Sequence, residues 1–370
     1  MKQILVVSPI PSHPQNQGNS ARIFHLCKMW QGLGYQVHFV YFGLEGLSPQ
    51  QSHQMTQCWE HFYYVQPQGP AAEPSFEEYF HVDDWYDDRV SQLVSELCRV
   101  WDFSHCVVNY VWFSKVLDIV PQSVTKIIDT HDVFGDRHLV AKAAGMEPVW
   151  FYTSKELESF ALARADIVLA IQDEEAEYFK TITDSRVEVV GYVVPSEVLL
   201  PAPKGKNGKL RVGYIGSGNP FNTASIAAFQ QQIIASDVDL SKVEFHLAGT
   251  VCRALGTNTV PFIVHGLVDS LSEFYREMDV MVNPMIGGTG LKIKSIEALA
   301  FGRPLIATVD AMVGIETNNR HQTLTTMKDV IGSCNQLLEH RELAQLEQDS
   351  KKVLSQYNGR FIASFKKLFS

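Results

Sequence analysis

The chain contains no apolar run approaching the roughly 18 to 20 residues that a membrane-spanning helix requires. Cysteine is sparse: six in 370 residues, scattered at positions 27, 58, 98, 106, 252 and 334 with no Cys-x-x-Cys pair. That argues against a disulfide framework and predicts free thiols in a reducing compartment. The first eight residues, MKQILVVS, lack the charged start, long apolar middle and small-residue cleavage site of a signal peptide, so a strand and a cytoplasmic location are expected. Positive charge is also short, with 31 Lys and Arg against 41 Asp and Glu and a net charge of −10. The deficit is concentrated up to residue 186, where 13 basic residues face 24 acidic ones; the remainder holds 18 against 17. An acidic first half excludes nucleic acid as a partner and strong electrostatic docking on an anionic membrane. The second half keeps the charge that a small phosphorylated ligand needs.

At 45% hydrophobic and 19% charged residues, the composition is that of a soluble globular protein, and 370 residues suffice for two domains. Apolar strands and amphipathic helices alternate. Strands are expected at 4–8, 37–41, 62–65, 105–108, 126–129, 167–170 and 187–190, and helices at about 19–33, 84–101, 151–164 and 173–180. Residues 195–209 break the pattern with Pro195, Pro201, Pro203, Gly205 and Gly208 among three lysines, a linker composition. The alternation then restarts, with strands at 210–215, 243–248, 262–264, 280–282 and 305–307 and helices at 222–235 and 271–278. Helical segments at about 327–340 and 341–356 and a final amphipathic helix at 361–369 close the chain. The fold class is therefore α/β: two doubly wound, Rossmann-like domains over 1–194 and 210–356, with a cleft between their strand ends.

Four clusters carry candidate chemistry. The strongest is residues 284–304, PMIGGTGLKIKSIEALAFGRP. There a turn bearing Gly287, Gly288 and Gly290 runs into a helix with Lys292 and Lys294 in its first turns. Free amides at a helix start, backed by lysines, make an anion site. Lysines two apart do not share a helix face, and Lys292 is the one expected to reach a phosphate. Glu297 stands on an otherwise apolar stretch and needs a partner; a salt bridge to Lys294 or Arg303 is the bland alternative to a ligand. The second cluster, Gly216-Ser217-Gly218-Asn219 with Asn222, opens the second domain with glycines that permit close backbone approach. Gly249 and His265 lie in strand-end loops of the same domain. The third is Asp129-Thr130-His131-Asp132 at a strand end, with Arg137 behind it, where a structural histidine and a site histidine are equally good readings. The fourth is the loop after the first strand, where Gly18 precedes a helix without Gly-x-Gly-x-x-Gly spacing. The acidic, aromatic segment 76–85 either borders a ligand or starts a surface helix.

The 284–304 stretch resembles the donor-sugar loop of glycosyltransferase family four (glycosyl transferases group 1), a mostly retaining family of GT-B fold. The family commonly has two glutamates eight positions apart; Glu297 matches the second, and Thr289 stands at the first, in a Gly-Thr-Gly-Leu-Lys-Ile-Lys variant with Leu291 between the glycine and the lysine. The resemblance implies an acceptor-binding first domain, a nucleotide-sugar-binding second domain and a last helix, about 357–370, packing back on the first. It implies that Gly18 and His131 face the transferred sugar. It further implies that Gly216, Ser217, Asn222 and Lys294 lie near the diphosphate, that Gly249 and His265 frame the base, and that Glu297 binds the ribose. Arginine and lysine positions of the family fall on the uncharged Ser217 and Asn222, which moves the required charge onto Lys292 and Lys294. No Asp-x-Asp cation motif is expected in the chain, so a metal-independent enzyme is expected, with no cofactor beyond the nucleoside diphosphate sugar as co-substrate. The acceptor is a glycan, a lipid-linked species bringing weak peripheral membrane contact, or a small molecule. A nucleotide-sugar epimerase and an inactive GT-B-like binding protein are the competing readings.

Overall fold

The computed structural model describes residues 2–370 apart from 16, 70, 144, 146, 195–207, 257–259 and 288–289; most of the expected linker thus lies outside the described residues. Contacts divide the chain into two units, Met1–Val193 with Phe361–Ser370, and Val194–Arg360.

The first unit runs β1 (Lys2–Ser8), α1 (Gly18–Gly32), β2 (Tyr35–Phe42), α2 (Pro49–Cys58), β3 (His61–Val65), α3 (Asp88–Val100), β4 (His105–Asn109), a 3-10 helix (Val111–Ile119), β5 (Thr125–Asp129), α4 (Arg137–Ala143), α5 (Lys155–Leu162), β6 (Ile167–Ala170), α6 (Asp173–Lys180) and β7 (Arg186–Val189). The strands form one parallel sheet in the order β3-β2-β1-β4-β5-β6-β7. Ile4, Leu5, Val6 and Val7 of β1 are buried, as a central strand covered on both faces requires. Winding reverses between β1 and β4, so the loops leaving their carboxyl ends border the crevice in which such sheets bind ligands.

The second unit runs β8 (Leu210–Ile215), α7 (Pro220–Ala235), β9 (Val243–Ala248), α8 (Val251–Ala254), β10 (Phe262–Gly266), α9 (Leu271–Glu277), β11 (Val280–Asn283), α10 (Ile293–Ala300), β12 (Leu305–Ala307), α11 (Met327–Gln336) and α12 (His340–Phe369), whose residues from Phe361 on belong to the first unit. Its parallel sheet has the order β10-β9-β8-β11-β12, with the reversal between β8 and β11.

Two expectations need correction at the C-terminus and one in the first unit. The segments expected at 341–356 and 361–369 are one helix of 30 residues, α12. Buried Leu346, Val353, Leu354, Tyr357, Phe361, Phe365 and Phe369 continue its apolar stripe through Gly359. Within the first unit the rings of Phe365 and Phe369 pack tilted and edge-on against Trp30, at 5.6 and 5.4 Å. Residues 76–86 form turns rather than a helix start; α3 begins only at Asp88, capped by Asp87. Among the described residues no helix is long and apolar enough to cross a membrane, and the six cysteines are free.

Candidate functional site

In the second unit the loops leaving β8 and β11 share the carboxyl edge at the switch point of the sheet. Backbone packs on backbone here. Gly249 has φ +91°, and a Cβ there would stand 2.2 Å from the Gly216 carbonyl oxygen, so only glycine fits. The Gly249 amide donates to the Gly266 carbonyl at 2.8 Å and the Gly216 amide to the Ala248 carbonyl at 3.1 Å, tying the ends of β8, β9 and β10 together. Asn219 caps α7 by accepting the Asn222 amide at 2.8 Å, and Pro220 occupies the first turn.

Three of the residues singled out in this half, Ser217, Asn222 and Lys294, come together. Asn222 is buried; its side-chain amide donates to the Ser217 carbonyl at 2.9 Å and hydroxyl at 3.1 Å, and its oxygen accepts from Lys294 Nζ. Lys294 Nζ also donates to the Tyr214 hydroxyl at 3.1 Å. Burial pushes this ammonium down to about 7, repulsion from Lys292 acting the same way and Glu297 opposing. One turn further on, burial pushes the Glu297 carboxyl up to about 7 against the attraction of Lys294. Glu297 makes no ion pair with any described residue, neither Lys294 nor Arg303. Lys294 and Glu297 are thus two titratable groups one turn apart whose charged forms burial disfavours.

Lys292 is 6% exposed and its Nζ donates to the Gly290 carbonyl at 2.6 Å. It is the cap residue before α10, not a member of the first turn, because the helix begins at Ile293. Gly287 and Gly290 have φ +65° and +74°. The Gly287 amide donates to the Asp310 carboxylate at 2.7 Å, so an acid anchors the loop from outside. Leu291 is partly buried beside it. Gly288 and Thr289, both expected at the ligand, lie outside the described residues. Behind the loop, buried Asn283 donates to the Ser295 hydroxyl at 2.7 Å, which donates to the Ala311 carbonyl at 2.8 Å. Nothing in the sequence pattern singled out Tyr214, Asn283, Ser295 or Asp310. His265 is exposed at the end of β10, its Nε2 2.9 Å from Nδ1 of the buried His246. The chain does carry one Asp-x-Asp triplet, Asp237-Val238-Asp239, in the turn between α7 and β9. It lies at the amino end of β9, away from these loops, where Asp239 accepts the Ser241 amide at 2.9 Å and pairs with Lys242 at 3.3 Å.

In the first unit a buried polar cluster lies at the carboxyl ends of β4 and β5. Arg22 of α1 donates from Nε to both Asp129 oxygens at 3.0 Å and from a terminal nitrogen to the Val190 carbonyl at 2.8 Å. Burial opposes the Asp129 charge, yet Arg22 and His131 hold its carboxyl well below the ordinary range. His131 sits at φ +62° with its ring stacked 4.3 Å from that of Tyr110, itself at φ +73°. Its Nε2 lies 2.9 Å from Asn109 Oδ1 and 3.2 Å from Asp129 Oδ2, two acceptors, so Nε2 carries hydrogen. Gly18 opens α1, and the adjacent Asn19 donates to the Tyr110 hydroxyl at 3.1 Å, bringing that loop to the same edge. Two buried glutamates were not anticipated. Glu158 accepts the Phe134 and Gly135 amides at 2.8 and 3.0 Å, and burial still pushes it up to about 7. Glu175 is pushed up to about 8 by burial, then by Asp132.

Residues 209–340 match the family model described as glycosyl transferases group 1. The matched span falls within the second unit and contains the site built on the loops leaving β8 and β11. Along the whole chain the fold is that of solved GT-B proteins. Sucrose-phosphate synthase (tll1590) from Thermosynechococcus elongatus is similar with a TM-score of 0.72 at 13% identity, over 100% of this chain and 98% of that one. TarM of S. aureus, solved with fondaparinux, alpha-GlcNAc-glycerol and UDP, gives 0.69 at 12% identity, over all of both chains. Alr3699/HepE from Anabaena, solved with UDP and glucose, gives 0.67 at 11% identity, over 99% of this chain and 100% of that one. At such identities the likeness is one of fold. No curated protein matches.

Proposed function

We propose that this chain is a glycosyltransferase that moves a sugar from a nucleoside diphosphate sugar to an acceptor hydroxyl, with retention of configuration and without a divalent cation. The bond from the anomeric carbon to the diphosphate oxygen breaks, the bond to the acceptor oxygen forms, and the acceptor proton leaves with the diphosphate. In this reading the second unit holds the donor. Lys292 and Lys294 neutralise the diphosphate, the glycine loops after β8 and β11 border its oxygens, Glu297 takes the ribose hydroxyls, and the loops of Gly249 and His265 border the base. His131, whose Nε2 is engaged with Asn109 and Asp129, leaves Nδ1 for a sugar hydroxyl. The observation that carries the reading is the convergence of Lys294, Asn222 and Ser217 at a glycine-built switch point inside the matched span. TarM and HepE were each solved with UDP, which makes uridine the first base to try.

The test is incubation with a panel of radiolabelled nucleoside diphosphate sugars. Transfer, or slow hydrolysis without acceptor, supports the proposal. Epimerised donor supports an epimerase, and binding without turnover supports an inactive binding protein.

A further inference from the structure

The carboxyl edge of the first sheet carries a second feature. A cavity of about 390 Å³, within the range of small-ligand sites, opens beside Phe42 at the end of β2 and the segment that follows β3. Four aromatic rings line it: Phe42, Trp85, Tyr86 and Trp150. Trp150 is 42% exposed on a backbone at φ +66°, a conformation a bulky residue rarely adopts. Trp85 is fixed, its indole N–H donating to the Ala72 carbonyl at 3.2 Å. The rings do not end at the cavity. Trp150, Trp85, Trp112, Tyr110 and His131 follow one another with centroids 5.2, 5.4, 5.0 and 4.3 Å apart, so the cavity wall is continuous with the His131 cluster.

The charged side chains lining the cavity are Glu45, Asp84 and Asp87, all acids. Glu45 is exposed and makes no ion pair with any described residue; Asp84 accepts from Ser75 and the His81 amide. Asp87 is paired with Arg89 at 2.5 Å, and Lys115, 5.4 Å from the Tyr86 ring centroid, pairs with Asp88 at 3.0 Å. No lysine or arginine is among the described lining residues. Such a wall repels phosphate and the headgroups of an anionic membrane. It suits a ligand with flat C–H faces to lie on aromatic rings and a rim of hydroxyls to donate to carboxylates.

We propose that this cavity binds an uncharged saccharide, laid on Trp150 and Trp85 with hydroxyls turned to Glu45 and Asp84, and that this saccharide is the acceptor. The identification as acceptor rests on the transfer reading above; the saccharide site does not. The test uses the full chain, with tryptophan fluorescence and calorimetry against methyl glucoside, methyl mannoside, methyl galactoside, maltotriose, cellobiose and diacetylchitobiose. Glucose 6-phosphate and phosphatidylglycerol vesicles are the charged comparisons, and UDP is titrated separately. At least one neutral saccharide should bind, and Trp150→Asn, which suits the positive φ, should weaken it about tenfold with the melting temperature and UDP affinity unchanged. The proposal falls if UDP binds but no neutral saccharide does. It also falls if glucose 6-phosphate or the vesicles compete better than every neutral sugar, or if Trp150→Asn leaves saccharide affinity intact. Saccharide binding without binding of any nucleoside diphosphate would keep the cavity assignment and sink the donor reading instead.

Discussion

Lys294→Met separates a ligand-binding lysine from a structural one. In the free protein burial holds the ammonium at about 7 instead of its ordinary 10.5. The folded chain therefore binds fewer protons than the unfolded chain between about 7 and 10.5. Stability from this group rises with pH across that window, and below about 7 the buried charge is a cost. Methionine keeps the bulk and sheds the charge, so at pH 6 the variant should be as stable as the parent or more so. A diphosphate arriving beside Lys294 reverses the balance by favouring the charged form. UDP binding should then draw in a proton, and affinity should fall as pH rises above about 7, by up to about tenfold per unit, or ~1.4 kcal/mol. Calorimetry at pH 6.5, 7.5 and 8.5 in two buffers of different ionisation enthalpy measures both quantities. Lys294→Met should lose about a hundredfold in affinity and the proton uptake together. UDP affinity flat with pH in the parent, or unchanged in the variant, would refute the reasoning.

Three further perturbations probe other parts of the account. Lys292→Ala should lower turnover about a hundredfold, ~2.7 kcal/mol, with little change in melting temperature; an unchanged rate removes Lys292 from the diphosphate. His131→Asn, which tolerates the positive φ, should depress turnover far more than UDP affinity; a lower melting temperature with normal turnover would leave His131 a structural residue. Glu175 is raised from 4.5 to about 8, so its contribution to stability is fully present below about 4.5 and is lost as pH rises to about 8, by up to ~1.4 kcal/mol per unit. Glu175→Gln should flatten that slope and raise the melting temperature at pH 8 relative to the parent; an identical slope would show that Glu175 is ionised in the folded chain.

The strands were legible because buried parallel strands are short apolar runs between turn residues, and 167–170, 210–215 and 243–248 were read to the residue. The polar helix α2 was not, since only Met55 on it is buried and its periodicity is faint. Its signal was local: Ser48 and Gln51 form a capping box around Pro49. The single long helix α12 was read as two because Asn358-Gly359 looks like a stop, yet the apolar spacing runs through it and outweighs a glycine cost of ~1 kcal/mol. At the site, residue types and order gave the glycine loops and lysines. Which partners they take depends on side chains brought together from distant strands. Tyr214 and Asn222 meet Lys294 across 80 and 72 residues, and Asp310 reaches Gly287 across 23. Glu158 and Glu175 sit on short helices whose sequences look solvent-facing, so their burial had no sequence signal.

The central claim is that the glycine-built edge of the second sheet binds a nucleoside diphosphate sugar and delivers its sugar. The most direct measurement is release of nucleoside diphosphate from a radiolabelled donor panel by the parent chain and by a Lys292→Ala, Lys294→Met double variant. The account predicts that one donor is consumed, with the label passing to acceptor or water, and that the double variant is at least about a hundredfold slower while remaining folded. Consumption of that donor at the parental rate by the folded double variant, or no binding of any nucleoside diphosphate by the parent, would contradict it.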